Sequence, residues 1–283
     1  MLTLVHEPPG AFGLPQCRWT LGTLRQAAPF LHLSSNASLH HLLERLGISY
    51  KRGRHYLHSP DPHYRAKLAL LACCQAQSRS DPHHYPLLYL DELTYYRQPT
   101  IAPAYEERGP HQPLARRSYQ PNTPWRVGAA LDGLSGRVIY RQARHLDCRE
   151  LVCLYEDICQ AYPKAKAIYL VADNWPLHYH PDVLAALVSQ ELPFPPRLTP
   201  TWPKEPSERA PRLELPIRMV QLPTYAPWTN PIEKLWRWLY QEVLHLHRLA
   251  DDLGALKARV AEFLDQFHSG SLALLRYTGL LPP

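Results

Sequence analysis

The 283-residue sequence contains no long apolar run. A bilayer-crossing helix needs about 20 consecutive apolar residues, so no such span is expected. The opening MLTLVHEPPG has neither the basic start nor the apolar centre of a secretory leader, which leaves a soluble cytoplasmic protein as the expectation. There is no CxxC among the six cysteines, Cys17, Cys73, Cys74, Cys148, Cys153 and Cys159. Without paired close pairs a zinc knuckle has no support, and free thiols are the plain reading. The sixteen histidines are scattered. His83–His84 and His178/His180 have ligand-capable side chains, but loop or surface positions account for them equally well. Acid is scarce in one place only. Residues 1–80 hold three acids (Glu7, Glu44, Asp61) against nine Lys/Arg, an excess equal to the whole formal net charge of +6.

What is present bounds the architecture. With 45% hydrophobic residues the chain can bury the core of one large domain and a smaller one. A basic N-terminal segment on a neutral body points to a nucleic-acid-binding module attached to something else. A solvated basic surface is the bland alternative.

Residues 1–17 are rich in Pro and Gly and read as an extended arm. WTLGTLRQAAPFL (19–31) reads as a short helix ending at Pro29. In LSSNASLHHLLERLGISYKRGRHYL (33–57), Ser34, Ser35, Asn36 and Ser38 are all possible N-caps. Leu39, Leu42, Leu43 and Leu46 then fall on one helical face, and Gly47 stops the helix. Gly53 sits in a basic, aromatic segment suited to a small wing. Helix, turn, helix and wing over residues 18–58 make a compact DNA reader. In that reading His40, His41 and Arg45 face DNA, and Lys51, Arg52 and Arg54 meet phosphates. SPDP then opens a linker and connecting helix over 59–84, capped by Asp61 or Ser59.

The pattern changes at residue 85. YPLLYLDEL (85–93) is a buried strand running into acids. Two strand-like runs around Asp132-Gly133 and Ser135-Gly136 make a hairpin within 123–143. Residues 148–163 carry Leu151, Leu154, Tyr155 and Ile158 at helical spacing. Ile168–Ala172 is a second buried strand, again running into an acid, Asp173. PDVLAALVSQE (181–191) reads as a helix with Pro at its first position. Residues 193–216 hold eight prolines without a period and read as an inserted loop. IRMVQLP (217–223) is another strand, and a helix starts near Asn230. This order predicts an α/β fold, a mixed sheet flanked by helices, over 85–283.

Asp91 and Asp173 each close a buried run. Adjacent strands ending in carboxylates bring like charges together at one sheet edge, which raises their pKa values unless a cation intervenes. Mg²⁺ or Mn²⁺ is the natural partner, and two such ions about 4 Å apart can activate a nucleophilic oxygen and stabilise the oxygen leaving a phosphate. A capping or turn role is the alternative for each Asp. Glu233 has a stronger alternative. Asn230, Pro231 and Glu233 have the form of a capping box, Asn-x-x-Glu, and the carboxylate also favours the helix dipole. Spacing does not choose between cap and ligand.

Three segments read together, YLDEL (89–93), VADNWPLH (171–178) and LPTYAPWTNPIEKLWRWL (222–239), resemble the signatures of DDE transposases of the mariner superfamily, in its bacterial insertion-sequence branch. The likeness covers roughly residues 18–265, with WTL…LGISYKR…SPDP similar to that family's second helix-turn-helix and linker. It implies an RNase H-like catalytic domain in which Asp91, Asp173 and Glu233 hold two Mg²⁺ ions, with Mn²⁺ able to substitute. Asn174, His178, Asn230 and Pro231 match motif positions and would shape the site. The implied reaction is metal-dependent cleavage of double-stranded DNA at transposon ends, then attack of the freed 3′-hydroxyl on target DNA. The implied state is a homodimer or larger synaptic oligomer, associated with the nucleoid. Two departures stand out. Asp173 and Glu233 lie 60 positions apart rather than in the mid-thirties; removing the 24 residues of 193–216 leaves 36. One helix-turn-helix is found rather than two, so 18–58 corresponds to the second of an original pair. The alternative is a catalytically inactive DNA-binding regulator or targeting subunit. A carboxylate-pair hydrolase such as a glycosidase leaves the basic N-terminal segment unexplained.

Overall fold

The structure, a computed structural model, describes residues 1–51 and 58–281. They divide into two compact units, Met1–Tyr56 and Leu57–Pro283.

The first unit begins with α1 (Leu2–His6) and a tight turn at Pro9–Phe12. The expected extended arm is therefore partly helical. Its Leu4 is buried with Leu24, Ala28, Leu39 and Leu43, and so small a core gains from each apolar side chain it can recruit. α2 (Leu21–Ala27) starts in a capping box between Thr20 and Thr23. α3 (Asn36–Arg45) starts at Ser35, whose hydroxyl accepts from the Ser38 N–H. Gly47 ends it at φ +70°, and the Ile48 N–H bonds back to the Leu43 carbonyl at 2.8 Å. Leu39 and Leu43 are buried, whereas Leu46 is exposed, so the apolar stripe is narrower than its spacing predicts. Residues 28–35 separate α2 from α3, a longer connection than the three or four residues of a tight helix-turn-helix. The expected wing falls largely on residues 52–57, outside the described residues, as do Arg52 and Arg54.

The second unit opens with α4 (Tyr64–Ser80), which packs against the sheet through Gln75, bonded to the Tyr89 hydroxyl, and Gln77, bonded to that of Tyr169. No side chain caps α4. Asp61 instead accepts from the His63 N–H at 2.8 Å and pairs with Lys67 at 2.8 Å, both side chains almost fully buried. The sheet follows: β1 (Leu87–Tyr96), β2 (Pro124–Asp132), β3 (Val138–Ala143), then α5 (Cys148–Ala161), β4 (Ile168–Ala172), α6 (Pro181–Leu184) and β5 (Ile217–Gln221). The strand order is β3-β2-β1-β4-β5. β1, β2 and β3 are antiparallel, while β4 runs parallel to β1 and β5 parallel to β4, the mixed sheet that the sequence predicts. Alternation along the strands sends Tyr89, Val171 and Val220 to one face and Leu88, Leu90 and Leu170 to the other. α5 covers the second face with Leu151, Leu154, Tyr155 and Ile158. The first is covered by α7 (Ile232–Leu239), its wide continuation Tyr240–Leu244, α8 (Leu253–Asp265) and α9 (Leu272–Thr278).

α6 is shorter than its sequence predicts. It stops at Leu184 because the chain turns to pair with the segment entering β5: the Leu215 N–H bonds to the Ala186 carbonyl and the Val188 N–H to the Leu215 carbonyl, each at 2.9 Å. That pairing is long-range and leaves no local mark.

Candidate active site

β1 and β4 pair in the register Leu87↔Tyr169, Leu88↔Leu170, Tyr89↔Val171. Two residues further on, Asp91 comes level with Asp173. Neighbouring strands lie about 4.8 Å apart, and the two-residue period keeps both on the face of Tyr89 and Val171. Asp91 does not end its strand, as its sequence suggests; it is midway along β1. The strand that ends here is β4, at Ala172. β1 continues past it, paired only to β2, and the step in the sheet opens a cleft.

The third carboxylate arrives on α7. The apolar stripe Ile232, Leu235, Trp236 and Leu239 is buried against the sheet. Two hydrogen bonds fix its register on β1. Asn230 Nδ2 donates to the Leu90 carbonyl at 3.1 Å, and Trp236 Nε1 donates to Asp91 Oδ2 at 2.8 Å. Glu233 lies between these two struts and faces the cleft that Asp91, Asp173, Asn174 and Asn230 also line. The cleft holds about 580 Å³. The capping-box reading of Asn230 is overturned. No side chain caps α7, which starts at Ile232 with Pro231 in the cap position; the Asn230 amide is committed to β1 and only its backbone carbonyl receives the Glu233 N–H, at 3.3 Å. Glu233 therefore has no capping duty.

The loop ends are held as firmly. Asn174 Nδ2 donates to the Leu222 carbonyl at 2.9 Å, joining the ends of β4 and β5. Asp173 Oδ1 accepts from the Trp175 N–H at 2.8 Å. Asp61 Oδ2 accepts from the Thr224 N–H, and Lys67 Nζ donates to the Leu222 carbonyl. Burial opposes the Asp61 charge, but the Lys67 hydrogen bond and the two backbone donors prevail and bring its pKa down to about 2.

The cleft is electrostatically strained. Burial, then Glu233, and to a smaller degree Asp173, push the Asp91 carboxyl up to about 7, against the Trp236 indole. Burial and then Asp173 raise Glu233, and burial raises Asp173. Among the described residues none of the three pairs with Lys or Arg.

His178 is fully buried behind this row. Burial drives its pKa down to about 3, so the ring is neutral. Its Nδ1 lies 3.3 Å from the Tyr155 hydroxyl, and its Nε2 lies 3.6 Å from Glu92 Oε1 and 3.7 Å from Asp173 Oδ1. Glu92 escapes sequence reasoning. It follows Asp91 and so points to the α5 face, where burial, Asp91 and Asp173 hold its carboxyl well above the usual range. Trp236 is missed as well, although its place three residues after Glu233 puts both on one side of a helix. Arg126 of β2 and Arg197 of the Pro-rich segment also line the cleft.

His40, His41, Arg45 and Lys51 are exposed on the first unit. His41 Nδ1 lies 3.3 Å from Glu44 Oε2 and His40 Nδ1 3.6 Å from the same oxygen, which puts an acid among them.

Comparison with known proteins gives the same frame. Residues 86–257 match the DDE superfamily endonuclease family. The insertion element IS630 uncharacterized 39 kDa protein of Shigella sonnei is 25% identical over 264 residues, spanning 93% of this chain and 68% of that protein. The fold is shared with the Mos1 mariner paired-end complex with Mn, at TM-score 0.59 and 17% identity over 95% of this chain and 77% of that one. The Mos1 strand transfer complex gives 0.55 and 16% over 94% and 75%. The five-stranded mixed sheet with its flanking helices is thus RNase H-like, and since the family match takes in more than half of the sequence, the chain belongs to the DDE superfamily endonuclease family.

Proposed function

We propose that this protein is a DNA transposase that cuts phosphodiester bonds at the ends of a mobile element and joins the freed 3′ ends to target DNA. The observation that carries the reading is the convergence of Asp91, Asp173 and Glu233 on one cleft, with Trp236 and Asn230 bracing the helix that delivers Glu233. The donor set suits divalent cations: hard carboxylate oxygens, crowded, and unpaired with Lys or Arg among the described residues. Asp91, Asp173 and Glu233 would hold Mg²⁺, two ions in this reading, with Mn²⁺ able to substitute. When bound, the metal supplies positive charge at the attacking and leaving oxygens of phosphoryl transfer. The chain's own part is positional. Trp236 aims Asp91, the Trp175 N–H aims Asp173, and Asn174 keeps the ends of β4 and β5 together.

The Mos1 structures pair transposon ends, and IS630 is an insertion element. Both support double-stranded DNA as the substrate here and a dimer or larger assembly as the working state. His40, His41, Arg45 and Lys51 on the first unit, with Arg52 and Arg54, remain the proposed DNA-contacting set.

The test is Mn²⁺-dependent nicking of supercoiled plasmid, run beside calorimetric titration with Mn²⁺. Wild type should nick and give binding heat. Asp91→Asn, Asp173→Asn and Glu233→Gln should each lose nicking. Undiminished nicking by Asp173→Asn rejects the reading. Wild type without acid-dependent heat or nicking is instead the inactive DNA-binding regulator.

A further inference from the structure

The segment 193–216 has no helix or extended strand of its own, yet it is fastened to the second unit along its length. Phe194 is buried, with its ring 5.3 Å from that of His63 and 5.6 Å from Lys67 Nζ. Trp202 packs edge-on against His180 at 4.8 Å. The Ser207 N–H and hydroxyl meet the two carboxylate oxygens of Asp182 at 2.6 and 3.0 Å. Leu215 pairs with the chain around Ala186 and Val188. Six prolines restrict what lies between Phe194 and Leu215.

Arg197 sits between the first two anchors. It is exposed and lines the cleft of Asp91, Asp173 and Glu233. It forms no ion pair with any described residue, the cleft carboxylates included, so its guanidinium is not spent on neutralising them. A cleft walled by carboxylates repels a phosphate backbone. A fixed cation at its rim offsets that repulsion, and Arg is suited to the task because its planar fork meets a phosphate through two parallel hydrogen bonds. Holding the cation on an anchored, Pro-stiffened segment lowers the entropy lost on binding.

We propose that Arg197 binds a backbone phosphate of the DNA entering the carboxylate cleft, and that 193–216 is a phosphate-gripping arm of the active site. The proposal rests on the transposase reading for the identity of the substrate.

The test compares wild type, Arg197→Ala, Arg197→Lys and Arg209→Ala, the last being an exposed arginine of the same segment that lies outside the cleft. Binding to a fluorescent 30-base-pair duplex is measured by anisotropy over a range of KCl without divalent metal. Nicking of supercoiled plasmid is measured with Mn²⁺. Arg197→Ala should flatten the dependence of log Kd on log salt by about one unit, the release expected for one lost phosphate contact. It should also raise the KM for nicking by roughly tenfold with kcat little changed. Arg197→Lys should keep the salt slope and part of the affinity, and Arg209→Ala should behave as wild type. Arg197→Ala with the salt slope of Arg209→Ala overturns the proposal, whether or not the protein nicks. Loss of nicking in wild type overturns the transposase reading alone, because the binding arm needs no catalysis.

Discussion

The indole Nε1 of Trp236 donates to Asp91 Oδ2 at 2.8 Å, linking the first turns of α7 to the middle of β1 across 145 positions of sequence. Glu233 is carried three residues before this bond. One hydrogen bond therefore both orients the first carboxylate and sets how far the third reaches. Trp236→Phe keeps the ring's packing and removes the donor. The expected result is a roughly 10- to 100-fold fall in Mn²⁺ affinity or nicking, the usual cost of losing a ligand's orienting partner. Folding should be intact by circular dichroism.

Asn230 separates two accounts of how α7 begins. As a helix cap it would use its side-chain oxygen, and Asp would serve as well. As a strut it uses its amide N–H on the Leu90 carbonyl, and Asp fails, since a carboxylate has no hydrogen to donate and is here buried. Asn230→Asp should destabilise the protein by about 2 to 4 kcal/mol in urea titrations. A change within about 0.5 kcal/mol would restore the cap.

The extent to which this site was legible in the sequence follows from such cases. Short apolar runs and the turn residues between them marked every strand of the sheet, and the acids closing two of those runs pointed to the cleft. The register of β1 on β4 was not readable. Leu93, Thr94 and Tyr95 continue β1 beyond its parallel partner, and nothing local to them says where β4 stops. Asn-Pro-Ile-Glu reads as a cap because local preference is all a sequence offers there; the Leu90 carbonyl that claims the amide lies 140 positions away. Glu92 carries no signal of its own beside Asp91 in the sequence. Its significance needs α5, which buries it beside His178. α1 formed in a Pro/Gly-rich arm because Leu4 had a core to enter.

Lys67 and Asp61 tie the start of α4 to the loop that leads into α7. Lys67→Met leaves the Asp61 carboxylate buried without its cation and should cost about 3 to 5 kcal/mol of unfolding free energy. The pair also predicts an acid limb. Asp61 is depressed to about 2 from an ordinary 3.8, so its contribution is complete above about pH 4 and is lost as pH falls through 2. Wild type should lose stability over that interval, and Lys67→Met should lose less. Equal losses in the two proteins contradict the assignment.

Asp91 predicts the opposite sign near neutrality. Its folded pKa is raised to about 7 from 3.8, so the metal-free folded state holds a proton that the unfolded state has released. Stability of the metal-free protein should fall as pH rises from about 4 to 7. Asp91→Asn keeps an oxygen for the Trp236 indole and removes the charge, and it should raise the metal-free Tm at pH 8 by several degrees. Wild-type affinity for Mn²⁺ should rise with pH through about 7, because the cation and the proton compete for Asp91. Calorimetry at pH 6 and 8 checks this.

Mn²⁺ soaked into crystals of the wild-type protein and located by anomalous scattering tests the central claim most directly. The account predicts strong anomalous peaks in the cleft, bounded by oxygens of Asp91, Asp173 and Glu233 at ligand distance, and none there in Asp173→Asn. A cleft without anomalous signal under saturating Mn²⁺, with Glu233 turned away from Asp91, would contradict it.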